Sequence, residues 1–403
     1  MLYWHEQMKK TNSRNFTGML GINAGMELLW LFVNVFLIAQ VFFITDHDMV
    51  AVGLFLLLEV TTLFVFYAVA SWVCKKIRAI WVVRLSVLLL CLFLLLAVIW
   101  ADGLYSHFML FGFIWGTAQG LYWGAMNFLL AKVFDKNRIV RYFVVIFVVA
   151  AVIGILFPFT FGLMLDFGNW VLTSGAVLAV AALQLACTFL VKTEMQADRQ
   201  FRPIAYFREL KTANHLRPAI SLWFVVFLAG TNHTITALLT FLIILVYGTN
   251  IGIGVMGSIF AAVGIATLLL YKTARPRAKA PLFLGASALP LIGVIPLFFY
   301  VAPITLILFN AALVLPRNIV NLEENSIRLN ATRYWGGEQF LIESHLFYES
   351  ALMVGRVLSC GALIVIGLVG VTQITLAAVI ATTIALWTLH AITLFFWQRR
   401  HAK

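Results

Sequence analysis

Charged residues are scarce in this sequence: Asp, Glu, Lys and Arg make up 11% of its 403 residues, whereas 63% are hydrophobic. A typical soluble domain carries about 25% charged residues, which cover its surface. This chain has too little polar surface to face water on all sides, but a chain solvated by lipid needs none. The composition therefore excludes an ordinary soluble domain and predicts an all-α polytopic membrane protein.

The sequence also lacks the motifs of common catalytic and metal-binding sites. Its 4 cysteines are not spaced as metal ligands, and it contains no G-x-x-x-x-G-K-[ST], H-E-x-x-H or G-x-S-x-G motif. We therefore expect no metal, no cofactor and no enzymatic activity. The net charge of +12 does not indicate a nucleic-acid partner, because Lys and Arg lie in short clusters between apolar runs.

Twelve runs are long and apolar enough for spanning helices, which need roughly 20 residues each. They cover 19–45, 49–73, 79–101, 106–131, 142–165, 170–191, 219–246, 251–271, 281–299, 303–325, 341–366 and 373–397. The first run is too long for a signal peptide, so we predict that it is retained as the first helix.

Basic residues alternate between the connections of these twelve helices. Lys and Arg occur at 75–78, 136–141, 192–217, 272–279, 328–333 and 399–403, and they are missing from the connections at 46–48, 102–107, 166–169, 247–250, 300–303 and 367–372. Because Lys and Arg are enriched in cytoplasmic loops, this alternation predicts that both chain ends are cytoplasmic. It also supports the count of about twelve helices.

A basic connection divides the chain into two halves of similar length. We predict a six-helix bundle at 1–191, a cytoplasmic linker at 192–218 and a second six-helix bundle at 219–403. Residues 202–210 look amphipathic and basic, which favours an interfacial helix on the inner leaflet. A solvated linker is the alternative.

This layout resembles the major facilitator superfamily over nearly the whole chain. Between helices two and three, the stretch 71–78 (SWVCKKIR) keeps the basic residues of the signature G-x-x-x-D-R-x-G-R-K but lacks its glycines and its acidic residue. The stretch 120–127 (GLYWGAMN), and Glu349 followed by Gly355-Arg356, resemble a group of such transporters from Gram-positive bacteria that has no settled substrate. The resemblance implies a multi-pass plasma-membrane transporter whose bundles alternate access to a midplane site.

Polar residues within the predicted helices mark candidate sites, because polar and charged groups are costly in a bilayer unless paired or hydrated. Asn23, Glu27 and Asn34 share one face of helix one, and we predict that this face lines the substrate cavity. Hydrogen bonds to a neighbouring helix of the same bundle are the alternative.

Helix four carries a second set of candidate cavity residues. Gln119, Trp123 and Asn127 are spaced by four, with Tyr122 adjacent, and such aromatic and amide groups suit an amphipathic or sugar-like ligand. Close helix packing through the glycines at 116, 120 and 124 is the alternative.

Two further positions suggest proton coupling. Glu59 lies near the middle of helix two, and His233 lies beside Asn232 near the centre of helix seven. A buried carboxylate or a midplane histidine can carry a proton, although each could equally be a hydrogen-bonded structural residue. We include Asn232 among the cavity residues.

Helices ten and eleven carry the richest set. Arg317 and Asn321 lie in helix ten, and Glu349 and Arg356 lie seven residues apart on one face of helix eleven. Arg317 has no partner at good spacing within its helix, so a cross-helix pair with Glu349 is plausible. We add Arg317, Asn321 and Arg356 to the predicted cavity.

These observations predict a secondary transporter that moves a small solute by alternating access and works as a monomer in the lipid bilayer. We expect coupling to protons through Glu27, Glu59, His233 or Glu349. The aromatic cavity favours export of an amphipathic or lipophilic compound, whereas the two arginines favour an anion. Two alternatives are a lipid-modifying enzyme, with a cluster at Glu323, Glu324, Glu343 and His345, and a non-transporting receptor or immunity protein.

Overall fold

The apolar runs form α-helices in a computed structural model that describes residues 2–46, 48–100, 104–133, 136–192, 200–273, 276–336 and 339–401. Within these residues the chain has no β-strand, so the predicted all-α fold is confirmed. The helices are α1 (Leu2–Leu31), α2 (Ile38–Ile44), α3 (Met49–Cys74), α4 (Ala79–Ile99), α5 (Leu104–Val133), α6 (Lys136–Leu163), α7 (Trp170–Thr188), α8 (Pro203–Thr212), α9 (Leu216–Gly230), α10 (Ile235–Tyr247), α11 (Asn250–Thr273), α12 (Pro276–Gly293), α13 (Pro303–Gly336), α14 (Leu341–Val369) and α15 (Gln373–His401).

Over the described residues, 11 segments are long and apolar enough to cross a membrane. They correspond to every predicted span except the fourth. That span is α5, which has 30 residues and is therefore long enough, but its glycines, Gln119 and Asn127 lower its hydropathy. α5 packs against both α3 and α4, so it serves as the fourth span of the first bundle.

Two of the predicted spans are interrupted. The first consists of α1, a π-helical segment Phe32–Leu37 and α2, and the π-helical segment contains the polar residue Asn34. The seventh breaks between α9 and α10, where the backbone N–H of Thr234 donates to Oγ of Ser359 at 3.2 Å. A neighbouring helix thus satisfies a donor that the broken helix leaves free, as burial in a membrane requires.

The other departures from the predicted spans concern their ends. α13 continues to Gly336, beyond the predicted end at 325, and the predicted span 281–299 ends in a short 3₁₀ helix, Ile295–Phe298. The predicted linker contains α8, which buries Tyr206 and Leu210 and exposes Ile204. Residues 193–199 of that linker lie outside the described residues.

The two halves meet along two helix pairs, α3 with α14 and α6 with α11. We call the membrane side that carries Lys75, Arg217 and Arg399 the basic side, and the side that carries Asp48 and Asp166 the opposite side. On the opposite side, the rings of Phe42 and Phe241 lie 5.1 Å apart and join the two halves.

An aspartate adds a second contact on the opposite side. Asp166 follows α6 and accepts hydrogen bonds from the side-chain Nδ2 of Asn250 at 2.8 Å and from the backbone N of Ile251 at 2.9 Å. These groups stand at the N-terminus of α11, where a carboxylate is stabilised by free N–H groups and the helix dipole. The ends of α6 and α11 that lie on the opposite side are thereby held together.

Candidate functional site: a cavity between the halves

A cavity of about 260 Å³ lies between the two halves. α1, the π-helical segment, α2 and α3 supply its first-half wall, and α9, α10, α13, α14 and the break between α9 and α10 supply the other. The lining residues are Trp30, Asn34, Ile38, Leu56, Ala229, Gly230, Asn232, His233, Thr236, Ala237, Arg317, Asn321, Glu324, Arg328, Leu352 and Arg356.

The cavity is closed towards the opposite side. Ile38 and Ala237 line that end, and Phe42 and Phe241, one helical turn further along each helix, bring their rings together. Towards the basic side, the lining follows α13 from Arg317 to Arg328. The lining therefore runs from this aromatic closure towards the basic side.

Six residues predicted from the sequence come together in this cavity: Asn34, Asn232, His233, Arg317, Asn321 and Arg356. The break between α9 and α10 places Asn232 and His233 at its wall. Within the described part of the chain, Oδ1 of Asn232 and Nε2 of His233 are buried without a hydrogen-bond partner. Buried polar atoms normally have partners, so these two are suited to meet water or a solute.

Arg317 contributes one of the cations of this wall. Its Nη2 donates to Oγ1 of Thr236 at 3.4 Å, and no carboxylate among the described residues lies within ion-pair distance of its guanidinium. The predicted pair with Glu349 is wrong. Nη1 of Arg356 donates to Oε1 of Glu349 at 2.8 Å instead, because the two residues lie two turns apart on one face of α14.

Glu324 and His390 form a pair at the cavity that the sequence interpretation missed. Nδ1 of His390 is 2.9 Å from the carbonyl oxygen of Val225, and its Nε2 is 3.3 Å from Oε2 of Glu324. The carbonyl accepts the hydrogen on Nδ1, so Nε2 is left to face the carboxylate. His390 stands alone among apolar residues of α15, and no pattern in the sequence relates it to Glu324.

The remaining candidates of α1 and α5 lie inside the first half, away from the residues that line the cavity. The side-chain Nδ2 of Asn23 donates to the Tyr142 hydroxyl, and its Oδ1 accepts from the Tyr122 hydroxyl. Glu27 lies one turn further along the face of α1 that carries Asn23. These hydrogen bonds join helices of one bundle, which is the alternative given above for this face of α1.

Glu59 lies behind the cavity wall, at the contact of α3 with α5 and α14. Its Oε1 accepts hydrogen bonds from Nε1 of Trp115 at 3.1 Å and from Nε2 of Gln119 at 2.7 Å. Its Oε2 is buried without a partner in the described part of the chain. Gln119 thus contacts a carboxylate and not the cavity.

The other candidates of α5 also have protein surroundings. Asn127 donates to the Tyr67 hydroxyl at 3.3 Å, and the ring of Trp123 packs edge-on against Tyr122. The glycines of α5 allow this close contact with α3: a Cβ at Gly116 would clash with the carbonyl oxygen of Glu59.

The carboxylates of the cluster that an enzyme would use have different partners and lie in different places. Glu323 accepts hydrogen bonds from Tyr271 and Gln398, Glu324 faces His390, and Glu343 pairs with Lys75. These carboxylates do not converge on one pocket, as an active site at the membrane surface would require.

Comparisons with known proteins agree with this architecture. The family model of the Major Facilitator Superfamily matches residues 16–321. A search of curated proteins found no significant match.

Solved structures of similar fold are transporters. A mutant of the nucleoside transporter NupG is 15% identical, with a TM-score of 0.68 over 96% of this chain and 100% of that chain. The POT family transporter PepTSo is 9% identical, with a TM-score of 0.71 over 98% of each chain. A bacterial homologue of the iron transporter ferroportin, in an inward-facing state, is 13% identical, with a TM-score of 0.64 over 96% of this chain and 98% of that chain. At these identities the likeness shows the fold alone.

Proposed function

The chain belongs to the major facilitator superfamily and is a secondary transporter rather than an enzyme; from this premise we propose that it carries a small organic anion bound at Arg317. The observation that carries this proposal is the position of the Arg317 guanidinium. It lines the cavity between the halves, and no carboxylate of the described residues neutralises it.

An unpaired cation within a membrane protein is costly, because it has lost its hydration without gaining a counter-ion. Arg356, on the next helix α14 in the same wall, has Glu349 as its counter-ion. A bound anion would supply the missing partner for Arg317. The planar guanidinium can donate two parallel hydrogen bonds to a carboxylate or phosphate, which gives both strength and orientation.

The charge of the whole lining supports the same conclusion. Arg317, Arg328 and Arg356 line the cavity together with the carboxylate of Glu324, and Glu349 pairs with Arg356, so the arginines outnumber these carboxylates by one. The amide groups of Asn34 and Asn321 supply neutral hydrogen bonds. With a volume of about 260 Å³, this polar cavity favours a small anion over the amphipathic or lipophilic compound predicted from the sequence.

We further propose that proton coupling involves Glu324 and His390. The pair touches the cavity on one side and is buried in the second half on the other, with His390 only 1% exposed. A proton bound by this pair changes the charge next to the anion site, so solute and proton binding influence each other. Export of the solute stays a prediction. Proton coupling through His233, Glu59, Glu27 or Glu349 also stays a prediction.

The test is a flux assay with the purified protein in liposomes that contain a pH-sensitive dye. Monocarboxylates, dicarboxylates and phosphate esters are compared with neutral sugars and lipophilic cations. We expect a solute-driven pH change with an anion, its loss in Arg317→Gln, and partial retention in Arg317→Lys. The anion proposal would be overturned if a neutral sugar or a lipophilic cation drove the pH change and Arg317→Gln gave the same signal as the unchanged protein.

Arg84 offers a matched control for this assay. It is also an arginine within a spanning helix, but it lies in α4, donates to the Thr188 carbonyl at 3.4 Å and stacks on Trp81 and Phe189. Because Arg84 lies outside the cavity lining, we expect Arg84→Gln to keep the anion-driven signal.

A further inference from the structure

A second pocket, separate from the central cavity, lies at the basic ends of α11, α12, α13 and α15. It has a volume of about 300 Å³ and is lined by Tyr271, Lys279, Ala280, Phe283, Glu323, Phe395, Gln398 and Arg399. The proposed transport mechanism makes no use of it.

Two cations, Lys279 and Arg399, line the pocket. Nζ of Lys279 lies 5.5 Å above the ring of Tyr271, and the guanidinium carbon of Arg399 lies 4.6 Å above the ring of Phe395. Among the described residues neither cation has a carboxylate within ion-pair distance. Glu323 is directed to the protein, since Tyr271 and Gln398 each donate a hydrogen bond of 3.1 Å to one of its oxygens.

The depth of the pocket coincides with the membrane boundary. Three of the apolar runs predicted to span the membrane have their basic-side ends there: 251–271, 281–299 and 373–397. Lipid headgroups lie at this depth.

Exposed apolar side chains continue from the pocket into the membrane. Leu270, Leu282 and Phe396, each adjacent in sequence to a lining residue, are 72%, 47% and 60% exposed. The site therefore has a cationic end at the boundary and an apolar surface next to it. An occupant that matches both parts has an anionic head and long apolar chains, which distinguishes it from a free phosphate compound.

We infer that this pocket binds one anionic glycerophospholipid of the leaflet on the basic side, with the lipid phosphate between Lys279 and Arg399. The stacked rings below both cations keep them at the pocket rather than extended into water. The phosphate would provide a counter-ion that neither cation finds among the described residues.

The test is native mass spectrometry of the full chain in detergent, titrated with dioleoylphosphatidylglycerol or dioleoylphosphatidylcholine. We expect the first phosphatidylglycerol to bind more tightly than phosphatidylcholine. The double variant Lys279→Gln/Arg399→Gln should weaken that first binding step on the order of tenfold, as expected from two cations at a membrane surface.

A matched control removes two exposed cations from the same membrane side. Lys76 stacks on Trp72 much as Lys279 stacks on Tyr271, and Arg78 follows it in the loop after α3. Lys76→Gln/Arg78→Gln should leave the first binding step unchanged. The inference would be overturned if both double variants lost the same affinity for the first phosphatidylglycerol, or if the unchanged protein bound the two lipids with equal affinity.

Two further measurements keep the inference testable if the first double variant folds poorly. Glu323→Gln removes the negative charge of the pocket, so it should tighten the first phosphatidylglycerol step, and an unchanged or weaker step contradicts the assignment. Inorganic phosphate or glycerol phosphate should not compete at millimolar concentration. Full competition would assign the pocket to a soluble phosphate compound instead.

Discussion

Lys75, directly after α3, and Glu343, in the first turn of α14, form an ion pair between the two halves, with Nζ of Lys75 3.4 Å from Oε1 of Glu343. Both side chains are 1% exposed. Lys75 also donates to the carbonyl of Gln339 at 3.3 Å, and Glu343 accepts from the backbone N of Arg202 at the start of α8. The pair thus joins α3, α14 and the segment before α8 on the basic side.

We expect Lys75→Met to lower the free energy of unfolding by about 3–5 kcal/mol, because Glu343 would be left buried without its counter-ion. The double variant Lys75→Met/Glu343→Leu should be less destabilised than the single one, since it buries no unpaired charge. Thermal unfolding in detergent measures both. Lys76→Met is the control: Lys76 is exposed over Trp72, so its loss should cost under about 1 kcal/mol.

Arg317 and Arg356, two of the arginines that line the cavity, should respond in opposite ways to the same substitution. Arg356→Gln should destabilise the fold by about 3–5 kcal/mol, because it leaves Glu349 partly buried and unpaired. Arg317→Gln should leave stability unchanged or raise it, because it removes a cation that the protein does not neutralise. Chemical unfolding of both variants is the measurement. A large loss of stability in Arg317→Gln would show that Arg317 has a structural role.

The close contact of α5 with α3 predicts a sharp difference between two glycines. A Cβ at Gly116 would clash with the carbonyl oxygen of Glu59, so Gly116→Ala should cost about 1–3 kcal/mol through overpacking. Gly361 in α14 has no atom within 4 Å of an added Cβ. Gly361→Ala should therefore be neutral or stabilising, since Ala favours helix over Gly. Equal melting temperatures for the two variants would contradict this account.

Asp166 is expected to hold the opposite side closed. Its hydrogen bonds cross from one half to the N-terminus of α11, whereas Asp48, which is also exposed, caps α3 of its own half through the backbone N of Val50 at 2.7 Å. Losing a helix cap costs about 1 kcal/mol, so Asp166→Ala should raise the population open on this side roughly fivefold.

Distances between spin labels at Phe167→Cys and Val371→Cys, in a background without the native cysteines, report this change. These positions are 81% and 41% exposed and belong to different halves. Asp48→Ala should leave the distance distribution unchanged while lowering stability by a similar amount. A shift of equal size in both variants would show that loss of a cap, and not the contact between halves, is responsible.

The sequence alone was sufficient for the membrane fold, because lipid solvation imposes long apolar runs that can be read one segment at a time. It was also sufficient to mark Asn34, Asn232, His233, Arg317, Asn321 and Arg356 as polar residues that apolar helices do not need. A midplane charge stands out in any apolar run, whichever neighbour it later meets.

Which of the marked residues meet in one cavity was decided only by the tertiary structure. Asn23, Gln119 and Asn127 are amide residues within apolar helices, as Asn34 and Asn321 of the cavity are, yet they bond to Tyr122, Glu59 and Tyr67 within the protein. The pairing of Glu324 with His390 joins helices far apart in the chain. Helical spacing determines the face of a side chain, whereas the rotation and crossing of packed helices determine whether that face meets a cavity or another helix.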